Sequence, residues 1–187
     1  MSTSQKAEVY VALLRGINVG GKNSLPMKAL AAMFEKAGCS QVATYIQSGN
    51  VVFQADAQLT QRIPDLISKA ILKGFKMDIP VIVRSAKELL RISKGNPFLQ
   101  SGGTIDTVHV AFLAQSPSLV AVQSLDPQRS PGDEFRVVGR EIYLHCPQGF
   151  GRTKLTNQYF DSKLFTTSTV RNWKTLLKLI EMTETAS

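Results

Sequence analysis

The chain has little of what metal and thiol chemistry require. Its 187 residues include two cysteines, Cys39 and Cys146, and two histidines, His109 and His145. The cysteines lie far apart and neither belongs to a Cys-x-x-Cys pair, so two free thiols are expected rather than a disulfide or a zinc site. Two imidazoles are too few for a centre built on nitrogen and sulfur ligands, and neither a metal nor a cofactor is expected. His145 and Cys146 are neighbours in a strand-like run, which points them to opposite faces and makes a poor nucleophile–base pair. No Ser-His-Asp set and no paired-carboxylate signature can be picked out.

Long apolar runs are also missing. The longest near the start, Val9 to Leu14, has six residues and ends at Arg15, far short of a bilayer span. Met1 to Glu8 is polar and lacks the basic start and apolar stretch of a signal peptide. A cytoplasmic protein with no membrane partner is therefore expected.

What is present is globular: 43% hydrophobic and 19% charged residues, enough for a sizeable core. The formal charge is +8, and acids are scarce towards the end. From Gln148 to Ile180 six basic residues (Arg152, Lys154, Lys163, Arg171, Lys174, Lys178) face one acid, Asp161. Such a face attracts nucleic acid or phosphorylated ligands. An isolated charge bias is nevertheless more often a solvated surface.

Along the chain, Val9 to Leu14 reads as a buried strand. Gly16 to Asn23 breaks it, and Pro26 suits the first turn of a helix with Met27, Leu30, Ala31 and Phe34 on one face. Gly38 stops that helix. Val42–Ile46 and Val51–Phe53 flank Gln47-Ser48-Gly49-Asn50 and read as a tight hairpin. A second helix carries Leu59, Ile63, Leu66, Ile67, Ala70 and Ile71 on one face, with Pro64 in its first turn. Ile79 to Val83 supplies a fourth strand. The order β-α-β-β-α-β is the ferredoxin-like arrangement, assigned to a subdomain of residues 1–85.

Residues 86–187 read as a second, smaller α+β subdomain with basic C-terminal helices. Ala86 to Ser93 is helical. Thr107 to Leu113 is a strand, with Val108, Val110 and Phe112 on one face and His109 on the other, less buried one. Leu119 to Leu125 is a short helix, and Phe135–Val138 and Glu141–Leu144 flank the turn Gly139-Arg140. Gly149-Phe150-Gly151-Arg152 leads to a helix beginning near Thr153. A final helix starts at Ser168 or Thr169, burying Val170, Trp173, Leu177 and Ile180. Trp173 is assigned to packing in preference to stacking on a base. No sequence repeat is clear, although β-α-β-β recurs, and the absence of a low-complexity linker suggests that the halves pack together.

In a ferredoxin-like sheet the loop leaving the first strand and the turn leaving the second lie at one end. Arg15, Asn18, Gly20, Gly21, Lys22 and Asn23 are thereby brought near Gln47, Ser48, Gly49 and Asn50. Backbone N–H groups with Arg15 or Lys22 could hold a phosphate or carboxylate. Gly16 to Asn23 nearly fits the phosphate loop G-x-x-x-x-G-K-[ST], but Asn23 stands where a hydroxyl must bind magnesium, and Pro26 delays the helix. Nucleotide hydrolysis is set aside on that ground. A glycine-rich connection shaped for packing and ordinary Ser-Gly-Asn turn chemistry are the plainer readings of the two segments.

Three longer motifs carry a resemblance. Leu14-Arg15-Gly16-Ile17-Asn18-Val19-Gly20-Gly21-Lys22-Asn23 is the first, and Thr44-Tyr45-Ile46-Gln47-Ser48-Gly49-Asn50-Val51-Val52-Phe53 the second. The third is a C-terminal set: Gly139-Arg140-Glu141-Ile142-Tyr143-Leu144-His145, Gly151-Arg152-Thr153-Lys154-Leu155 and Arg171-Asn172-Trp173-Lys174-Thr175. The chain resembles the domain of unknown function 1697 family over nearly its whole length. The resemblance implies an α+β fold with a ferredoxin-like part and brings no mechanism with it. It also implies a serine where Thr153 stands and an aromatic where Cys146 stands, and the latter argues against a catalytic thiol.

Three functional readings follow. The first is a binding protein for an anionic ligand, nucleic acid foremost, through Arg15, Asn18, Gly20, Gly21, Lys22, Asn23, Gln47, Ser48, Gly49, Asn50, Arg152, Lys154, Arg171, Asn172 and Lys174. The second is an enzyme acting on a small phosphorylated or carboxylated substrate, with Asn18, Gln47 and Asn50 orienting the reacting group. The third is a structural or protein-interaction module whose signature residues bond to one another.

Overall fold

The structure, a computed structural model, describes residues 7–186; most of the polar start, Met1–Lys6, lies outside the described residues. The chain is a mixed α/β protein with two compact units. One runs up to Leu90 and takes in the chain from Lys178 onward; the other is Arg91–Leu177. Each contains a four-stranded antiparallel sheet. No helix among the described residues is long and apolar enough to cross a membrane.

The first unit runs β1 (Glu8–Leu14), α1 (Met27–Ala37), β2 (Ser40–Tyr45), β3 (Asn50–Ala55), α2 (Ala57–Phe75) and β4 (Val81–Ser85). Its sheet has the order β2-β3-β1-β4. The apolar run of β1 is buried on both faces, and the strand pairs antiparallel with both β3 and β4. Helix α1 buries Leu30 and Phe34 and ends at Gly38, whose left-handed backbone (φ 104°) returns its N–H to the carbonyls of Phe34 and Glu35. Helix α2 buries Ile63, Ile67 and Ile71 at intervals of four. Leu14, Phe34, Phe53 and these isoleucines form the core.

Pro64 is not in the first turn of α2. Asp56 caps the helix by accepting from the Leu59 N–H (2.7 Å), so the helix starts at Ala57 and Pro64 falls inside it. The missing proline N–H leaves the Thr60 carbonyl without its helical donor, a defect tolerated by a 19-residue helix held along its apolar stripe. Helix α3 (Ala86–Lys94) leaves β4 through a capping box: the Ser85 hydroxyl accepts from the Glu88 N–H (3.1 Å) and the Glu88 carboxylate from the Ser85 N–H (2.8 Å).

The second unit contains α4 (Pro97–Gln100), β5 (Val108–Leu113), α5 (Leu119–Gln123), β6 (Glu134–Val138), β7 (Glu141–His145), α6 (Asn157–Leu164) and β8 (Ser168–Asn172), and it takes the start of α7 (Trp173–Thr185). The order β6-β7-β5-β8 reproduces that of the first sheet strand for strand. Register agrees as well. Val11 in β1 faces Arg84 in β4, and Val110 in β5 faces Arg171 in β8. Both arginines are buried, and each donates Nη1–H to the carbonyl before it, Val83 (3.0 Å) and Val170 (2.9 Å). The next residue, Ser85 or Asn172, caps the following helix.

Three sequence expectations for this unit are corrected. Ser168 and Thr169 do not start a helix. They open β8, where β-branched Thr169 and Val170 pair with Phe112 and Ala111 and complete the sheet. The Ser168 hydroxyl is taken by the Asp161 carboxylate (2.7 Å), and Asn172 caps α7 through the Thr175 N–H (2.7 Å). Val170 therefore belongs to a strand, Trp173 and Ile180 are buried on α7, and Leu177 is exposed. The helix expected near Thr153 begins at Asn157, capped by Thr156, after a single 3-10 turn at Phe150–Arg152. His109 does not face outward either: β5 is buried on both sides, and the His109 ring stacks on Phe150 at 4.7 Å.

The two cysteines are free and buried, one in each unit. Burial pushes both thiols up to about 11. Because the folded value lies above that of the unfolded chain, this contribution to stability is whole below the ordinary thiol range and drains away as pH climbs towards 11. Ellman's reagent at mildly alkaline pH is expected to find no fast thiol in the native protein and both thiols after denaturation. A rapidly titrating native thiol would contradict the placement of Cys39 or Cys146.

Candidate functional site

Strands β1 and β2 are both antiparallel to β3, so they run the same way and leave the first sheet at one end. The exit of β1 is a twelve-residue loop, Arg15–Pro26, and that of β2 is a four-residue turn, Ile46–Gly49. Two buried side chains, Ile17 and Leu25, pin the loop into the core at either end. Between them the backbone is left-handed at Asn18, Gly20, Gly21 and Asn23, as it is at Gly16 just before. Positive φ at both Gly20 and Gly21 lets them form the tip of a two-residue hairpin, closed by the Lys22 N–H on the Val19 carbonyl (3.0 Å).

Asn18 organises this loop. Its Oδ1 accepts from the Leu25 N–H (2.8 Å), and its Nδ2 donates to the carbonyls of Leu25 and Gln47 (both 2.9 Å). The last bond ties the loop to the turn. Asn23 donates to the Gly16 carbonyl (2.8 Å) and returns its own carbonyl to the Asn18 N–H (3.1 Å). Asn50 is fully buried and donates to the Tyr45 carbonyl (3.2 Å) and the Ser48 hydroxyl (3.0 Å). Gly49 lies against the end of β1: its carbonyl takes the Leu14 N–H (2.8 Å), and a Cβ there would sit 2.7 Å from the Leu14 Cβ.

The ten first-unit residues singled out from sequence thus gather in one place but divide into two kinds. Asn18, Asn23, Ser48, Gly49 and Asn50 build the site. Gly20, Gly21, Lys22 and Gln47 are exposed on it, with Arg15 half-buried at its base. Neither the Lys22 ammonium nor the backbone N–H groups of Gly20 and Gly21 have a hydrogen-bond partner among the described residues. Helix α1 begins at Met27, well past Lys22, with Pro26 as its N-cap. Lys22 consequently does not open a helix as the lysine of a phosphate loop does.

The second unit serves as a control, because it makes the same turns with less chain. Leu113 N–H bonds the Arg140 carbonyl (2.9 Å) as Leu14 bonds that of Gly49, and Ala114 bonds Thr167 (2.9 Å) as Arg15 bonds Pro80 (3.2 Å). Yet the β5 exit needs only Ala114–Ser118, and the β6–β7 turn only Gly139–Arg140. The fold closes without the extra residues found in Gly16–Asn23 and Ile46–Gly49.

The five second-unit residues are placed differently. Arg171 is withdrawn from the surface: it is buried and bonded to the Thr169 hydroxyl and the Val170 carbonyl (both 2.9 Å), and burial lowers its guanidinium to about 10, still cationic at neutral pH. Asn172 is spent on capping α7. Lys174 is exposed and paired with Asp106. Arg152 and Lys154 are exposed on the loop leaving β7. Phe150 of that loop stacks on His109, the cross-strand neighbour of Asn172. These residues sit where β7 and β8 end, which is the end of the repeat opposite to the one bearing the long loops in the first unit. Burial holds the His109 imidazole below the usual histidine range.

Two apolar residues at the first-unit site were not singled out from sequence. Val19 and Ile46 are large, exposed and adjacent to the bonded pair Asn18 and Gln47. The available signal was an isoleucine directly before a turn.

Two four-stranded antiparallel sheets with one strand order, only one of them bearing long exits, define a two-unit mixed α/β class of protein. The chain belongs to the family described as "Protein of unknown function (DUF1697)", whose model matches residues 7–143. No curated protein matches it. Among solved structures it is similar to the conserved bacterial protein SP0830 from Streptococcus pneumoniae, with a TM-score of 0.69 at 19% identity over 95% of this chain and 99% of that one. At that identity the likeness establishes the fold.

The turn makes a stability test possible. Ala at Gly49 meets both a left-handed backbone (φ 77°) and the Leu14 side chain, whereas at Gly139 (φ 60°) a Cβ meets open space. Gly139→Ala is expected to cost about 1 kcal/mol and Gly49→Ala about 2–4 kcal/mol, read as urea midpoints. Equal losses would mean that the turn does not abut β1.

Proposed function

We propose that the exit end of the first unit binds an anionic ligand, with nucleic acid as its class. The carrying observation is that both exits are longer than their second-unit counterparts and are fastened to each other by the Asn18–Gln47 bond. Chain that the fold does not need, held in one shape by left-handed glycines and asparagines, is the form that binding loops take. Lys22 and the N–H groups of Gly20 and Gly21 supply what an anionic oxygen requires. The formal charge of +8 favours a polyanion over a small acid, since it draws the ligand in from a distance. Exposed Arg152 and Lys154 add to that field, and Arg171 acts in the sheet interior instead.

The interaction-module reading accounts for Asn18, Asn23 and Asn50, whose amides bond within the unit. It leaves the side chains of Lys22 and Gln47 without a task. We also read each unit as ferredoxin-like, on the strength of the order β-α-β-β-α-β and the neighbours β2-β3-β1-β4 and β6-β7-β5-β8. A cytoplasmic setting fits the two buried free thiols.

The test is affinity for single- and double-stranded nucleic acid across salt. Lys22→Ala is expected to weaken binding and to flatten the slope of log K against log salt by about 0.7–0.9, the share of one lost phosphate contact. Arg152→Ala is expected to act mainly through the overall charge. Absence of binding at low salt would end this proposal.

A further inference from the structure

Exposed apolar side chains are common on folded proteins, and Val19 (61% exposed) and Ile46 (50%) would not by themselves call for explanation. The backbone at Ile46 does. Its φ is +46°, a conformation that β-branched residues avoid because Cβ crowds the carbonyl oxygen. Glycine or asparagine would occupy it with little strain, and the shorter turn of the second unit opens on Gly139 (φ 60°). The first-unit turn opens on an isoleucine where the second-unit turn opens on a glycine, and half of that side chain is in solvent. A β-branched residue held in this conformation with half of its side chain in solvent is a pointer to function.

The surroundings indicate what that reason is. Val19 follows Asn18, Ile46 precedes Gln47, and the Asn18 Nδ2–H joins the two segments at 2.9 Å on the Gln47 carbonyl. On the same small hairpin are Lys22 and the N–H groups of Gly20 and Gly21. Val19 pairs with Lys22 across that hairpin, so exposed apolar residues and a cation share this part of the chain. A bare phosphate would use the cation alone. A duplex presents its phosphates but keeps its base faces stacked inside. A nucleotide unit with an open base carries both a negative charge and a flat apolar face.

Resting on the anion-binding reading above, we propose that this site takes nucleotide units with unstacked bases, the phosphate on Lys22 and the Gly20-Gly21 turn and the base against Val19 and Ile46. The ligand class is single-stranded nucleic acid or a free nucleotide, in preference to duplex or inorganic phosphate.

Fluorescence polarisation with the full chain tests this, using a labelled single strand, the same sequence as a duplex, and a nucleoside monophosphate or inorganic phosphate as competitor. The wild type is expected to prefer the single strand by about tenfold. The monophosphate should compete better than inorganic phosphate, and its strength relative to unlabelled strand separates the two sources. Ile46→Asn is expected to bring the single-strand affinity down about tenfold, to the level of the duplex. Its melting temperature should hold or rise, because asparagine tolerates the left-handed backbone. Equal wild-type affinity for strand and duplex, unaltered by Ile46→Asn, would overturn this inference and leave phosphate binding standing. A drop of several degrees in melting temperature with the loss of preference would make Ile46 a folding residue and also overturn it. No binding to any probe would remove both readings together.

Discussion

The amide of Asn18 is the interaction on which the candidate site depends. A twelve-residue excursion between a strand and a helix, with internal backbone bonds only at its small Val19–Lys22 hairpin and between Asn18 and Asn23, would ordinarily sample many shapes. Asn18 removes that freedom by satisfying the N–H and the C=O of Leu25, at the far end of the loop, and the carbonyl of Gln47 in the neighbouring turn. One side chain closes the loop on itself and on the hairpin beside it. Asparagine suits this position twice over, since it tolerates the left-handed backbone found there (φ 54°) and carries a donor and an acceptor on one short stem.

Around this clamp the architecture is economical. The central strands β1 and β5 are buried on both faces and flanked on both sides, so each repeat is anchored by one apolar run. Each repeat also carries a buried arginine at the same register, followed by a capping residue and a helix. The donors of that guanidinium are used within the sheet: Arg171 reaches the Thr169 hydroxyl and the Val170 carbonyl, and Arg84 the Val83 carbonyl. Basic composition at the C-terminal end is thus partly internal structure, and charge counted along the chain overstates the charge available at the surface.

Much of the fold was legible because apolar periodicity reports burial directly. The helices α1 and α2, the run in β1 and the turns at Gly49 and Gly139 are all places where local chemistry and tertiary packing agree. It failed at β8, where Ser168 and Thr169 are good helix caps and also good strand residues. Partnership with β5 and the pull of Asp161 on Ser168 settled that choice, and neither is local. Pro64 misled for a related reason, since a long helix with a strong stripe absorbs a proline that a short one could not. The internal repeat was hidden because the two sheets share register and burial while sharing few side chains.

Sequence alone determined which residues gather at the exit of the first sheet, because strand order dictates which loops meet. It could not determine their division of labour. Whether an amide binds a ligand or holds a loop depends on whether its hydrogen bonds are already made, and that is a property of three-dimensional neighbours. Only the tertiary structure decided that Asn18, Asn23 and Asn50 are spent internally, that Lys22 and Gln47 are exposed, and that Ile46 sits strained beside them. Composition registers a residue's chemistry, and packing decides whether that chemistry is left to face outward.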